Sequence, residues 1–372
     1  MSSPHSVPVV QWQRPGSWPV ALQWVALVVL SALVSLGWGI TGLPAALLLG
    51  PMVAGIVFGV NAVHLTVPRV PYIAAQGIIG AMVAVMITPA IIATFTHELL
   101  LFSCVVAGTL LGAAALGWFI SRRGLIPGAT AVYGIAPGAA NAMVLLGEAE
   151  GADARLVAFM QYSRVLLVAL AAALVAHFWV GTTSARAPAV PWLAPVHWGN
   201  LALALLIIAL AQQGARMLRL PAWALLGPLL VLSWLHADGV LLSVQLPRWL
   251  LATAYALLGW HIGLAFRRDA LLHAGRALPV VAVAALTLMG WCGLLAFALT
   301  RLAHVDALTA YLATSPGGLD SVAIIAASAH GVDLPFVMAL QAVRLLFVIA
   351  LAPWITRLIV RHSPHLQVLP HL

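Results

Sequence analysis

The sequence predicts an all-α, polytopic integral membrane protein of two tandem repeats, the second inverted, each with a broken or re-entrant Pro-Gly element. Three observations carry this expectation. First, 63% of the 372 residues are hydrophobic and only 7% are charged, against about 25% charged in a soluble globular chain. Second, Leu99 to Ile120 is a 22-residue run without a charge, and about 20 residues span hydrocarbon as a helix. Similar runs start near Trp18, Tyr72, Leu156, Leu278 and Phe336; they are continuous rather than alternating, which argues against a barrel. Third, the motifs recur. Ala136-Pro137-Gly138, Gly151-Ala152-Asp153 and Gln161-Tyr162-Ser163-Arg164 return as Ser315-Pro316-Gly317, Gly331-Val332-Asp333 and Gln341-Ala342-Val343-Arg344, at offsets of 179 or 180 residues. Leu43-Pro44-Ala45 and Gly50-Pro51 return at offset 177, as Leu220-Pro221-Ala222 and Gly227-Pro228. Pro68-Arg69 and Gly80 return at offset 179 as Pro247-Arg248 and Gly259.

The elements follow in the same order in each copy. A full apolar helix comes first, over Trp18–Trp38 and again over Trp198–Gln213. The first of these is too long for a signal-peptide core and lacks a small-residue cleavage site, so it is expected to remain. A short helix opened by Leu-Pro follows, Pro44–Val60 and Pro221–Leu235; Pro is tolerated in a first turn. Helices after Pro-Arg come next, Tyr72–Thr94 and Trp249–Phe266, then Leu99–Ile120 and Leu278–Thr300. The Pro-Gly element occupies Ala129–Gly147 and Leu308–Ala329, and a long helix bearing Gln-x-x-Arg closes each copy, Leu156–Val180 and Leu334–Val360. The division is therefore an N-terminal tail (1–17), repeat 1 (18–180), a Pro-rich linker (181–197), repeat 2 (198–361) and a C-terminal tail (362–372).

The Pro-Gly element decides the topology. If it crosses the membrane, the copies are parallel, and nine loop Arg fall inside and six outside. If it enters and returns on one side, the second copy is inverted. Twelve then fall inside, and only Arg186, Arg248 and Arg301 fall outside. Positive charge in short loops prefers the cytoplasm, which favours inversion.

Net charge is +8, and all 17 basic residues are Arg, scattered singly and in pairs between apolar runs. A nucleic-acid reader would show a basic face on a soluble domain. Cys104 and Cys292 lie in apolar runs without partners at metal-ligand spacing and are expected to pack. The 13 His show no metal pattern, and no phosphate loop, Cys-x-x-Cys or nucleophile elbow is present. Neither an enzyme nor a cofactor or metal site is expected.

The candidate site is a polar centre. Arg164 and Arg344 lie inside apolar segments, where an Arg costs roughly 2.5–3.5 kcal/mol on insertion scales. Snorkelling, or a salt bridge to Asp153 or Asp333, would explain them structurally; Asp153 and Asp333 are thus structural or coupling candidates. Against that stand Gln161 and Gln341, three residues earlier and on the same helix face. The breaks Ala136-Pro137-Gly138-Ala139-Ala140-Asn141 and Ser315-Pro316-Gly317-Gly318-Leu319-Asp320 interrupt a helix at membrane depth. Such a break is tolerated only in buried surroundings or along a cavity, where half-helix ends can face a ligand. Asn141 and Asp320 sit where the helix restarts, as N-caps, ligand contacts or both. Asp320, whose counterpart is neutral, also suits a cation or proton site or a partner for either Arg.

These paired stretches resemble the duplicated membrane AbrB family of bacteria, from about Trp18 to Arg361. Members are commonly labelled transcriptional regulator or ammonia monooxygenase. The resemblance implies an inner-membrane location and, in one lineage, an influence on gene expression. Ala139 departs from the double Gly usual after this Pro, so equal ligand roles for the two breaks are not implied.

The leading expectation is a multi-pass bacterial inner-membrane permease of a small anion, a secondary transporter. Its binding residues would be Arg164, Arg344, Gln161, Gln341, Pro137, Gly138, Asn141, Pro316, Gly317, Gly318 and Asp320. The Arg would bind the anionic group and the Gln would orient it. The alternative is a membrane protein acting indirectly on gene expression, without direct nucleic-acid binding. A remote third reading, a copper monooxygenase, needs clustered His, whereas His64, His97, His177 and His261 are spread over different elements. The expected partners are the bilayer and a small-molecule anion; homo-oligomerisation is left open.

Overall fold

The computed structural model describes residues 18–40, 45–61, 65–84, 99–126, 128–137, 143–144, 147–148, 150–180, 196–220, 222–237, 246–275, 277–317, 319–329 and 331–361. The regular elements among them are helices. In the first half they are α1 (Val20–Ile40), α2 (Ala46–Val60), α3 (Arg69–Ala84), α4 (Leu99–Arg122), α5 (Gly128–Ile135) and α6 (Ala154–Val180). The second half has α7 (Trp198–Met217), α8 (Trp223–Ala237), α9 (Arg248–Gly263), α10 (Arg268–Ala274), α11 (Leu278–Ala303), α12 (Ala307–Thr314), α13 (Leu319–Ser328) and α14 (Leu334–Arg361). The expected elements are all represented, and α10 is additional. Residues 85–94 of the third expected helix, both tails, Gly138, Asn141, Gly318 and the linker 181–195 lie outside the described residues.

Among the described residues, five helices (α1, α4, α6, α7 and α11) are long and apolar enough to cross a membrane. Their burial sorts them. Only 17% of the most apolar stretch of α1 is buried, against 67% for α6. The outer face of α1 presents Val20, Val25, Leu33 and Leu36. So much exposed apolar surface on one helix belongs against lipid, whereas α6 lies in the interior of the bundle. The chain is an all-α polytopic membrane protein.

Local chemistry explains the recurrent motifs. In the Leu-Pro-Ala starts, Ala45 and Ala222 adopt left-handed backbone, at φ 58° and 45°. Their carbonyls accept from Leu48 and Leu49, and from Leu225 and Leu226, to open α2 and α8. Both short helices then carry an internal proline, Pro51 and Pro228. Pro228 cannot donate to Ala224 O; Gln212 of α7 does so instead at 2.8 Å, and also reaches Ile73 O of α3 at 2.8 Å. In the Gly-x-Asp turns, Gly151 and Gly331 take φ 79° and 76°, a region that favours glycine. The Asp that follows caps the last helix: Asp153 Oδ1 accepts from the Leu156 N–H at 3.1 Å, and Asp333 Oδ1 from the Phe336 N–H at 3.0 Å.

Packing between the halves comes in reciprocal pairs. α2 packs on α9 and α3 on α8; α4 packs on α14 and α11 on α6; α4 also meets α11. Each broken element lies against the long helix of its own half, α5 on α6 and α12 on α14. The site is therefore held by α6 and α14, which also run against the opposite half.

Candidate functional site

A helix that stops leaves its last carbonyls without intrahelical donors. Here α5 stops before Pro137 and α12 before Pro316, and proline has no N–H to offer. The long helix alongside supplies the missing donors from side chains. Gln161 Nε2 donates to Tyr133 O at 2.7 Å and Ala136 O at 3.0 Å. Arg164 Nη1 donates to Ala136 O at 2.7 Å and Ile135 O at 3.4 Å. The second half repeats the pattern. Gln341 Nε2 donates to Leu312 O at 2.8 Å and Ser315 O at 3.2 Å. Arg344 Nη1 donates to Ser315 O and, at 3.5 Å, to Thr314 O; Nη2 donates to Gly317 O at 3.0 Å and to Gln341 Oε1. A guanidinium at a helix C-terminus also meets the negative end of the dipole.

This geometry revises several expectations. Arg164 and Arg344 are only 3% and 6% exposed, so neither snorkels to an interface. The carboxylates of Asp153 and Asp333 serve the starts of α6 and α14 rather than either Arg; the side chain of Asp320 lies outside those described. The Gln amide nitrogens are spent on backbone carbonyls rather than left to orient a ligand. Glycine at 317 is required by protein packing: a Cβ there would meet Val322 Cγ2 at 2.8 Å and Val168 Cγ1 at 3.1 Å. Asp320 is the second residue of α13 rather than its N-cap.

Arg164 and Arg344 lie near enough for their like charges to repel, and the Cys292 sulfur of α11 lies within electrostatic reach of both. α11 is tied to the second break by Thr314 Oγ1, which donates to Cys292 O at 3.0 Å. A small cavity beside Arg164 is lined by α5, α6 and α11. Pro137, Pro316 and Gly317 are buried at the breaks.

Two parts of the site were not anticipated. The Asp153 N–H donates to Thr130 Oγ1 at 3.0 Å and the Asp333 N–H to Thr309 Oγ1 at 3.1 Å. Each bond ties the start of a long helix to the broken element beside it. Thr130 and Thr309 are 179 residues apart, so the recurrence could have revealed them. The wall formed by α11, with Cys292, had no such signal, because Cys292 has no cysteine at the matching position.

Residues 47–360 match the family model AbrB, described as Transition state regulatory protein AbrB. The chain is 44% identical over 344 residues to "Putative regulator AbrB" of Escherichia coli (strain K12), covering 92% of this chain and 98% of that protein. It is 30% identical over 259 residues to "Uncharacterized protein YhjN" of Bacillus subtilis (strain 168), covering 65% of each. With a family model spanning most of its length and a near full-length relative at this identity, the chain belongs to the AbrB family.

Proposed function

We propose that the protein is an inner-membrane secondary transporter of a small anionic solute, with two inverted halves and its substrate centre at the paired breaks. One observation carries the reading. Two buried guanidiniums, one from each half, lie within electrostatic range of each other beside interrupted backbone, and none of the carboxylates whose side chains are described pairs with either. Like charges so placed in low dielectric are costly unless an anion joins them. Reciprocal packing of matched elements and matched helix breaks supports a two-fold carrier.

The test is solute counterflow in proteoliposomes, with acetate, lactate, pyruvate and succinate as probes. The wild type is expected to exchange at least one of them, and Arg164→Lys to exchange it at least tenfold more slowly. No exchange of any probe by folded wild-type protein, or undiminished exchange by the variant, counts against the proposal. Inversion has its own test. In a Cys104→Ser/Cys292→Ala background, single cysteines at Arg123 and Arg301 are expected to react with an impermeant maleimide from opposite sides of the membrane. Labelling from the same side would favour parallel copies.

The name of the Escherichia coli relative supports a second reading, an indirect effect on gene expression. Movement of a metabolite would join the two readings. Deleting the gene and restoring it as Arg164→Lys separates them: a transport-mediated effect is not rescued, whereas restored expression would favour signalling by the protein itself.

A further inference from the structure

The two halves do not use their guanidiniums alike. In the second half the clasp is closed: both Nη atoms of Arg344 are engaged, one on Gly317 O and Gln341 Oε1, the other on Ser315 O and Thr314 O. In the first half, where Gly138, the counterpart of Gly317, lies outside the described residues, only Nη1 of Arg164 has a described partner. Among the described residues its Nε and Nη2, and Gln161 Oε1, are buried without hydrogen-bond partners. Buried polar atoms in native proteins are almost always satisfied. The unpaired atoms are not a random pair. Nε and Nη2 form one edge of the planar guanidinium, whose two N–H groups match the two oxygens of a carboxylate.

That side chain lines a small cavity beside the break. The cavity is bounded by Gly134 and Ile135 at the end of α5, by Met160 and Arg164 of α6, and by Ala284 and Leu288 of α11. Arg164 is its one charged lining residue. Its volume is about 10 Å³, room for about one water or one small oxygen-bearing group.

We infer that the Nε–Nη2 edge of Arg164 is the carboxylate-binding point of the protein, in the cavity between α5, α6 and α11, and that Arg344 is a structural cap. The inference rests on the reading of the polar centre as an anion site and assigns it to one half. The ligand class is a small carboxylate. The shared positive field of Arg344 strengthens the site without contacting the ligand. The apolar wall of α11 excludes hydrated ions, which the fork could not desolvate alone.

The experiment measures binding rather than flux. Detergent-purified protein is titrated with formate at constant ionic strength, sodium chloride making up the balance, and its melting temperature is recorded. A ligand of the folded state raises that temperature with occupancy. Wild type is expected to show a saturable rise. Arg164→Lys keeps the charge but not the fork and is expected to weaken formate at least tenfold. Ala284→Leu fills the cavity while leaving Arg164 in place and is expected to do the same, which covers the case in which Arg164→Lys folds poorly. A wild type that responds to formate no more than to chloride overturns the inference, as does an unchanged formate response in both Arg164→Lys and Ala284→Leu. Formate binding without flux of any carboxylate would instead remove the transport reading and leave this site standing.

Discussion

Arg344→Ala is expected to prevent accumulation of folded protein, or to lower its melting temperature sharply in detergent. The cause is the end of α12. Some of its late carbonyls are served locally: Thr314 Oγ1 donates to Ala310 O at 3.0 Å and Ser315 Oγ to Leu312 O at 2.9 Å. The carbonyls of Thr314 and Gly317, and much of the demand at Ser315, fall to Arg344. At membrane depth no bulk water can replace a lost donor. Hydrogen bonds to a charged partner contribute about 1.5–3 kcal/mol each, and orphaning their acceptors costs more than removing both groups. The expected loss is on the order of 4 kcal/mol, a large share of the 5–15 kcal/mol available to a typical domain. Arg344→Lys should fall between, since one ammonium cannot span carbonyls on both sides of the break. Arg164→Ala should lose less, because among the described residues only Nη1 is engaged there. Size-exclusion profiles and thermal melts of the three variants provide the ranking. Equal melting of Arg344→Ala and wild type would show that the cap is dispensable.

The recurrence made much of this architecture legible. The breaks at Pro137 and Pro316 were legible because each Pro is followed by Gly, whereas Pro51 and Pro228, followed by Met52 and Leu229, stay inside helices. The Gly-x-Asp turns and the helix starts after Pro68 and Pro247 were legible because each rests on backbone rules local to a few residues. What Gln161, Arg164, Gln341 and Arg344 touch was not local. Their backbone partners lie 25 to 30 residues away in sequence, on an element whose end the motif does not contain. The residues therefore announced a polar face without saying that most of its donors are spent on the backbone. The segment Arg268–Ala274 was missed for a different reason: its charges mark it as a loop when helices are sought as apolar runs. Inequality between the halves had two sequence traces, Ala139 against Gly318 and Asn141 against Asp320, but which hydrogen bonds differ depends on side-chain placement.

Glycine spacing was also overlooked as a packing device, and it yields the second large effect. α2 carries Gly55-x-x-x-Gly59 and α9 carries Gly259-x-x-x-Gly263, the small-residue spacing that lets membrane helices approach closely. Here a Cβ on Gly259 would lie 2.6 Å from Leu48 O and 2.9 Å from Met52 N, both backbone atoms. A Cβ on Gly80, its counterpart in α3, would likewise press on the Leu225 carbonyl oxygen of α8. Neither obstacle can rotate away as a flexible side chain would, so the helices must separate and lose contact along their length. Gly259→Ala is expected to cost on the order of 2 kcal/mol, and Gly259→Leu to abolish the folded state. Gly290 of α11 supplies the control, since nothing lies within 4 Å of a Cβ placed there. Gly290→Ala should be neutral or stabilise by up to about 1 kcal/mol through helix propensity alone. Thermal melts of Gly259→Ala, Gly80→Ala and Gly290→Ala in the same detergent decide the matter. Similar small changes in all three would mean that the α2–α9 and α3–α8 crossings are looser than their backbone distances imply. A loss confined to Gly259→Ala and Gly80→Ala would identify these two reciprocal crossings as the clamps that hold the halves together.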